Sequence, residues 1–272
     1  MNELIKTFKG SEVELEYLLT GENNSEVIMF VHGAGANLRQ YFAQHEHFFD
    51  QYTVLSVSLR GHGLSRQPKV KRGEHYTLER NKDDILELLE FLKISKIHYV
   101  GNSAGGIIGF YIHDTNPNLL KSITTFGTTG ELQYSDFTTK IISGIDKMMI
   151  RWNPKRYFSF LSKNISKNKS VQKEVLDMFM MSTESVPYIR LNLGNYSCLN
   201  IIKNMNIPYL LIRGEQDQEI NRSLTSTLTA LATNNLARVV EMEQVGHIAN
   251  MDRPDQFNEI LENFWKQIEI ES

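Results

Sequence analysis

Cysteine is almost missing from this chain. Cys198 is the only one in 272 residues, which rules out an internal disulfide and any cysteine cluster around a metal. A reducing compartment is the simplest setting, and the lone thiol is expected to be buried and inert. There is also no excess of one charge: 29 Lys and Arg against 32 Asp and Glu leave a formal net charge of −3. Nothing in that balance calls for a polyanionic partner, so nucleic acid is not expected. Long apolar runs are lacking too: no stretch reaches the roughly 18 residues of a membrane span, and residues 1–10 have no signal-peptide run. A cytoplasmic protein is therefore expected. Internal repeats, low-complexity tracts, Walker-type loops, metal-ligand clusters and dinucleotide fingerprints are absent as well, so no cofactor and no metal are expected.

What is present suffices for a large core, with 41% hydrophobic and 22% charged residues, the balance of a globular protein. The first forty residues read as strands. Residues 4–8 lead to a turn at Lys9 and Gly10, and Val13, Leu15, Tyr17 and Leu19 then share one face of an alternating segment. A continuous apolar run at 27–31 ends in His32-Gly33-Ala34-Gly35, as in a strand buried on both faces that feeds a tight glycine-rich loop. Similar runs recur at 53–57, 97–100, 122–126, 209–212 and 238–242, and helix periodicity lies between them at 84–92, 104–113 and 254–268. This alternation predicts the α/β class: a mostly parallel sheet flanked by helices. It stops between about 130 and 200, where Phe137, Ile141, Ile142, Ile145, Met148, Met149 and Trp152 fall at helical spacing. The expected organisation is a core of residues 1–130 and 201–272 interrupted by a helical cap at 131–200.

The strongest local signal is Gly101-Asn102-Ser103-Ala104-Gly105-Gly106, directly after one strand and directly before a helix. This is the G-x-S-x-G pattern in its strand-turn-helix context. A sharp turn strains the serine backbone and raises its hydroxyl above the sheet, and side chains at 101 and 105 would collide with neighbouring elements. The helix N-terminus that follows favours an oxyanion nearby. Ser103 is the expected nucleophile.

With this turn, the chain resembles the α/β-hydrolase superfamily over nearly its whole length, cap included. His32-Gly33-Ala34-Gly35 is similar to the family's HGxG loop, and Ser58-Leu59-Arg60-Gly61-His62-Gly63-Leu64-Ser65 to its D-x-R-G-H-G-x-S segment. Ser58 stands where the family has an aspartate, which leaves the partner of Arg60 open. A serine hydroxyl needs a base within hydrogen-bond reach and a third group to orient that base, and the chain order in this fold is Ser, acid, His. Of eight histidines only His247 lies late, in the loop Val245-Gly246-His247-Ile248 after a strand; it is the expected base. The resemblance assigns the acid to Asp217, at the end of Gly214-Glu215-Gln216-Asp217, with Glu215 and Glu131 as rivals. It also implies the backbone N–H groups of Ala34 and Ala104 as oxyanion-hole donors.

The activity implied is that of a serine hydrolase cleaving a small, apolar carboxylic ester. Thioester, lactone or carbon–carbon bond cleavage would use the same triad. A ligand receptor with this fold is the reading from another class. Serine in place of an aspartate nucleophile argues against dehalogenase and epoxide-hydrolase chemistry. The expected partner is a small-molecule substrate, which the aromatics and methionines of the cap would admit to an adaptable apolar pocket; for any one of them, Trp152 included, core packing is favoured over ligand contact. Residues 140–173 hold nine Lys or Arg against Asp146 alone. A solvated surface is the expected role, and membrane attachment is disfavoured. The helix at 137–152 should turn its apolar stripe to the core or the substrate tunnel, leaving Lys140, Lys147, Arg151 and Lys155 on the opposite side in water.

Overall fold

The computed structural model describes residues 1–271. Among these, eight strands form one sheet: β1 (Lys6–Lys9), β2 (Glu14–Thr20), β3 (Val27–Val31), β4 (Thr53–Val57), β5 (Ile97–Asn102), β6 (Leu120–Phe126), β9 (Tyr209–Gly214) and β10 (Ala237–Met242), ordered β1-β2-β4-β3-β5-β6-β9-β10. The β1–β2 and β2–β4 pairs are antiparallel, and every pair from β4 to β10 is parallel. The α/β reading holds. Period-two alternation divides β3 between two cores. Met29 and Val31 pack with Ile85 and Leu88 of α2 (Leu78–Phe91) and Ile107 and Ile108 of α3 (Ala104–Thr115). Ile28 and Phe30 pack with Phe48 of α1 (Phe42–Phe48) and with Phe257, Leu261 and Trp265 of α12 (Pro254–Glu271). Burial on both faces is why this strand reads as an unbroken apolar run.

Between β6 and β9 the chain leaves the sheet. A small antiparallel ribbon of β7 (Glu131–Gln133) and β8 (Asn195–Ser197) encloses α4 (Asp136–Trp152), α5 (Pro154–Ile165), α6 (Lys169–Met180) and α7 (Val186–Leu191). Short helices α8 (Leu199–Lys203), α9 (Gln218–Arg222), α10 (Thr225–Leu231) and α11 (Ala249–Asp252) connect the remaining strands. The ribbon has three residues per strand and is half exposed, too short and too wet to leave a hydrophobic signature. Tyr157, Phe158, Val171, Val175 and Phe179 of α5 and α6 join Ile248 in a third apolar cluster.

One expectation about this region is overturned. α4 buries Thr139, Ser143 and Asp146 and exposes most of its apolar stripe, with Phe137 at 73%, Met148 at 60% and Trp152 at 68%; of the stripe only Ile142, which lines a cavity, and Met149, which packs on the cap cluster, face inward. Trp152 therefore neither packs in the core nor lines the cavity under the cap. The polar face can be buried because it is bonded. Ser143 Oγ donates to the Pro187 carbonyl at 2.8 Å, and Asp146 Oδ1 accepts from Arg190 Nη1 at 3.0 Å and from the Tyr157 hydroxyl.

Candidate active site

Ser103 stands between β5 and α3 with φ 50° and ψ −117°, a conformation that a non-glycine residue holds only when its surroundings enforce it. Here they do. The Ser103 N–H donates to the Phe126 carbonyl on β6 at 3.0 Å, and the Thr128 hydroxyl donates to the Ser103 carbonyl at 3.2 Å. A Cβ on Gly101 would lie 2.5 Å from the Gly105 oxygen, and one on Gly105 would lie 2.2 Å from the Val31 oxygen. Both glycines are required by the close approach of the turn to its neighbours.

The loop after β10 brings His247 to the same end of the sheet. His247 Nδ1 lies 2.8 Å from Asp217 Oδ2, and Asp217, 6% exposed, caps α9 with its other oxygen, 3.4 Å from the Ile220 N–H. Burial disfavours the imidazolium, but the charge and hydrogen bond of Asp217 outweigh it and hold the His247 pKa above the usual histidine value. The rival acids lie elsewhere: Glu215 accepts from the Gln244 N–H at 2.8 Å, and Glu131 from Gln133 Nε2 at 3.0 Å. The cap holds the histidine loop from above, since the His247 N–H donates to the Ile165 carbonyl of α5 at 2.9 Å.

Ala104 opens α3, where first-turn N–H groups have no helical acceptor. The loop that carries Ala34 is set by His32. His32 Nε2 accepts from the Leu59 N–H at 2.9 Å, so Nδ1 carries the proton and donates to the Gly33 carbonyl at 2.7 Å. Burial, with His62 alongside, pushes the His32 pKa well down and keeps the ring neutral. Because a trans peptide points its carbonyl and N–H in opposite directions, fixing the Gly33 carbonyl also fixes the Ala34 N–H.

Ser58, where the resemblance implies an aspartate, is bonded to a carboxylate on the neighbouring strand. The Ser58 hydroxyl donates to Glu16 Oε1 at 2.6 Å and accepts from the Leu38 N–H at 3.0 Å, while Arg39 grips the fully buried Glu16 at 2.9 Å. Arg60, left without a partner in the sequence, forms a two-pronged pair with Asp84 at 2.7 and 2.8 Å. Sequence reasoning also missed Asn102. Its buried amide donates to the carbonyls of Phe126 at 3.1 Å and His247 at 3.0 Å and accepts from Gln40 at 3.2 Å. Asn102 stood at the end of a mostly apolar strand, while Glu16 fell on the polar face of the alternating β2 segment and gave no sign of its burial. Cys198 is buried, which pushes its thiol up to about 12.

Ser103, His247, Asp217, Gly33 and Ala34 line one cavity of about 720 Å³ beneath the cap. Its walls are largely apolar, with Ile107, Leu161, Val175, Met178 and Phe179, and carry Lys167, Arg190 and Arg222. The site lies beyond the carboxyl ends of the parallel strands, where open α/β sheets bind ligands.

Known proteins share this architecture. The 3-oxoadipate enol-lactonase 2 of Acinetobacter baylyi is 23% identical over 270 residues, covering 96% of this chain and 96% of the relative. Epoxide hydrolase 4 of Homo sapiens is 22% identical over 283 residues, covering 95% of this chain and 77% of the relative. The crystal structure of the enol-lactonase from Burkholderia xenovorans superposes with a TM-score of 0.82 at 20% identity, covering 96% of this chain and 100% of that one, a likeness of fold. A family profile described as alpha/beta hydrolase fold matches residues 26–166, half of the sequence, and with the sheet, the turn at Ser103 and the loop of His247 in place, this chain belongs to the alpha/beta hydrolase fold family.

Proposed function

We propose that this chain is a serine hydrolase that cleaves a small carboxylic ester through an acyl-enzyme on Ser103. The observation that carries this reading is the 2.8 Å bond between His247 and the buried Asp217, in one cavity with a strained, glycine-flanked Ser103. Ser103 Oγ attacks the ester carbonyl carbon while His247 Nε2 takes its proton, and Asp217 holds the Nδ1–H tautomer and balances the imidazolium. The oxyanion is received by the N–H groups of Ala34 and Ala104, a donor pair of the kind worth about 3–4 kcal/mol per member. Collapse breaks the carbon–oxygen bond, and His247 returns the proton to the departing alcohol. Water then repeats the sequence on the acyl-enzyme and frees the acid.

The apolar walls support an apolar acyl or alcohol group. A lactone is a cyclic ester, and the enol-lactonase relatives support that variant. The epoxide-hydrolase relative carries a different activity in its name; Ser103, where such relatives need a carboxylate, supports acyl transfer instead. Labelling with a fluorophosphonate tests the reading. The parent should take up one probe on Ser103, and Ser103→Ala should lose both labelling and ester turnover with its circular dichroism unchanged. Normal turnover in Ser103→Ala would overturn it.

A further inference from the structure

The helix α4 is turned outward. Phe137, Ile141, Ile145, Met148 and Trp152 recur at spacings of three and four, and all five are exposed. At about 100° per residue they occupy about 80° of the helix circumference. Lys140, Lys147 and Arg151, also exposed, fill the adjoining arc, and the buried Thr139, Ser143 and Asp146 lie on the far side. The pattern passes on to α5, where Arg156, Phe160 and Lys163 are exposed at the same kind of spacing. The Arg156 guanidinium lies 5.7 Å from the centre of the Trp152 ring.

We propose that this outer face of α4 and α5 docks on an anionic lipid bilayer. The apolar stripe enters the boundary between headgroups and acyl chains, and the basic row lies against the headgroups. An exposed apolar stripe bordered by Lys and Arg and carrying Trp and Phe is the pattern of a helix lying in a membrane interface. Charge argues for this occupant over a second copy of the chain. A two-fold contact would set each copy's Lys140, Lys147 and Arg151 against the same patch, where Asp136, at the end of α4, is the one exposed acid of the helix. An anionic surface, by contrast, complements the row. The charge of the whole chain is divided in the same sense. Residues 140–173 hold nine basic side chains and one acid, and the rest of the chain holds 20 basic and 31 acidic ones. An anionic bilayer therefore attracts the cap and repels the body.

Docking also has a consequence for the cavity. Thr139 and Ile142 of α4, with Tyr134 just before it, line the same cavity as Ser103, so a docked α4 sets one cavity wall at the lipid boundary. This gives a substrate dissolved in the bilayer a short path to the site. The docking itself does not depend on the proposed chemistry and is tested without turnover.

Trp152 supplies the readout, because the other tryptophan, Trp265, is only 1% exposed. The full chain is mixed with vesicles of phosphatidylcholine alone or of phosphatidylcholine with phosphatidylglycerol, and flotation and tryptophan emission are followed as salt is raised. Binding is expected on the anionic vesicles, with a blue shift of the emission, and should weaken at least tenfold from low to high salt. Lys140→Glu, Lys147→Glu and Arg151→Glu combined should weaken it more than tenfold, as should Phe137→Glu with Met148→Glu. Failure of the unmodified protein to float with anionic vesicles would overturn the proposal. So would equal binding by all variants, or a dimer in solution that shields Trp152.

Discussion

At the scale of single residues, position 58 carries no carboxylate, and the buried acid at this corner of the fold is Glu16 on the neighbouring strand. Ser58 and Glu16 together hold the Leu38 N–H and engage a cation, Arg39. Restoring the family residue should therefore harm this protein. Ser58→Asp would place a second carboxylate against Glu16 Oε1, 2.6 Å from the present hydroxyl, and one of the two acids would have to stay protonated. A loss of about 1–3 kcal/mol at neutral pH is expected, seen as a Tm several degrees lower. The deficit should shrink as the pH falls and the shared proton is supplied. A Tm equal to the parent's at pH 7 would mean that Glu16 does not occupy this space. His247 gives a second test at the same scale. Its pKa is raised because Asp217 outweighs burial, and in the proposed mechanism it acts as base only when neutral, so kcat/KM should rise with pH through a value above the ordinary histidine figure of about 6.5. Asp217→Asn removes the charge and leaves burial, which lowers the pKa. The acid limb should then move to lower pH while turnover falls by about 10⁴, and Glu131→Gln and Glu215→Gln should change neither.

At the scale of elements, the turn at Ser103 and the loop of His247 are joined by Asn102. Its two donated bonds, to Phe126 and His247 carbonyls, tie the end of β5 to β6 and to the histidine loop at once. Asn102→Ala should cost about 1–2 kcal/mol, chiefly for the His247 carbonyl it leaves unpaired, since the Phe126 carbonyl keeps the Ser103 N–H and the Thr128 hydroxyl, and under the proposed mechanism it should lower kcat more than it raises KM, because the bound substrate is intact while the base is loosened. A change in KM alone would give Asn102 a binding role instead. How far such elements could be read in advance depended on what buries them. β3 and β4 agree with their runs residue for residue because both faces of a strand in the middle of the sheet are covered, and their ends lead straight into glycine-rich loops. The extent of α4 was equally legible, since the stripe from Phe137 to Trp152 has an unmistakable period. Its direction was not. A period identifies an apolar face but says nothing of what covers it, and the side that was buried, Thr139, Ser143 and Asp146, is polar and is held by Arg190, Tyr157 and the Pro187 carbonyl. Those partners sit on α5 and α7, beyond the reach of any local pattern. Glu16 and Asn102 escaped for the same reason, because their partners lie on other strands and loops.

At the scale of the whole molecule, the division of charge that orients the cap reaches into the cavity. Lys167, Arg190 and Arg222 line it, opposed by Glu219 and by Asp217, which His247 already engages. Arg190 gives Nη1 to Asp146 and Tyr157, which anchors it within the wall. With Arg190 paired to Asp146 and Asp217 engaged by His247, Lys167 and Arg222 are left against Glu219, and low-dielectric walls concentrate the field of such a surplus. An ester whose acyl chain ends in a carboxylate should therefore show a higher kcat/KM than its neutral isostere at low salt. The advantage should fall several-fold as ionic strength approaches 0.5 M, where the Debye length is only about 4 Å, whereas the neutral ester should respond little. Lys167→Gln combined with Arg222→Gln should remove most of the advantage through KM. Lys147→Glu with Arg151→Glu lies on the outer face and should leave the neutral ester within a few-fold of the parent. A preference for the carboxylated ester that ignores salt would place its origin in direct hydrogen bonds to the substrate, and no preference at all would mean that solvent in the open cavity screens the three cations.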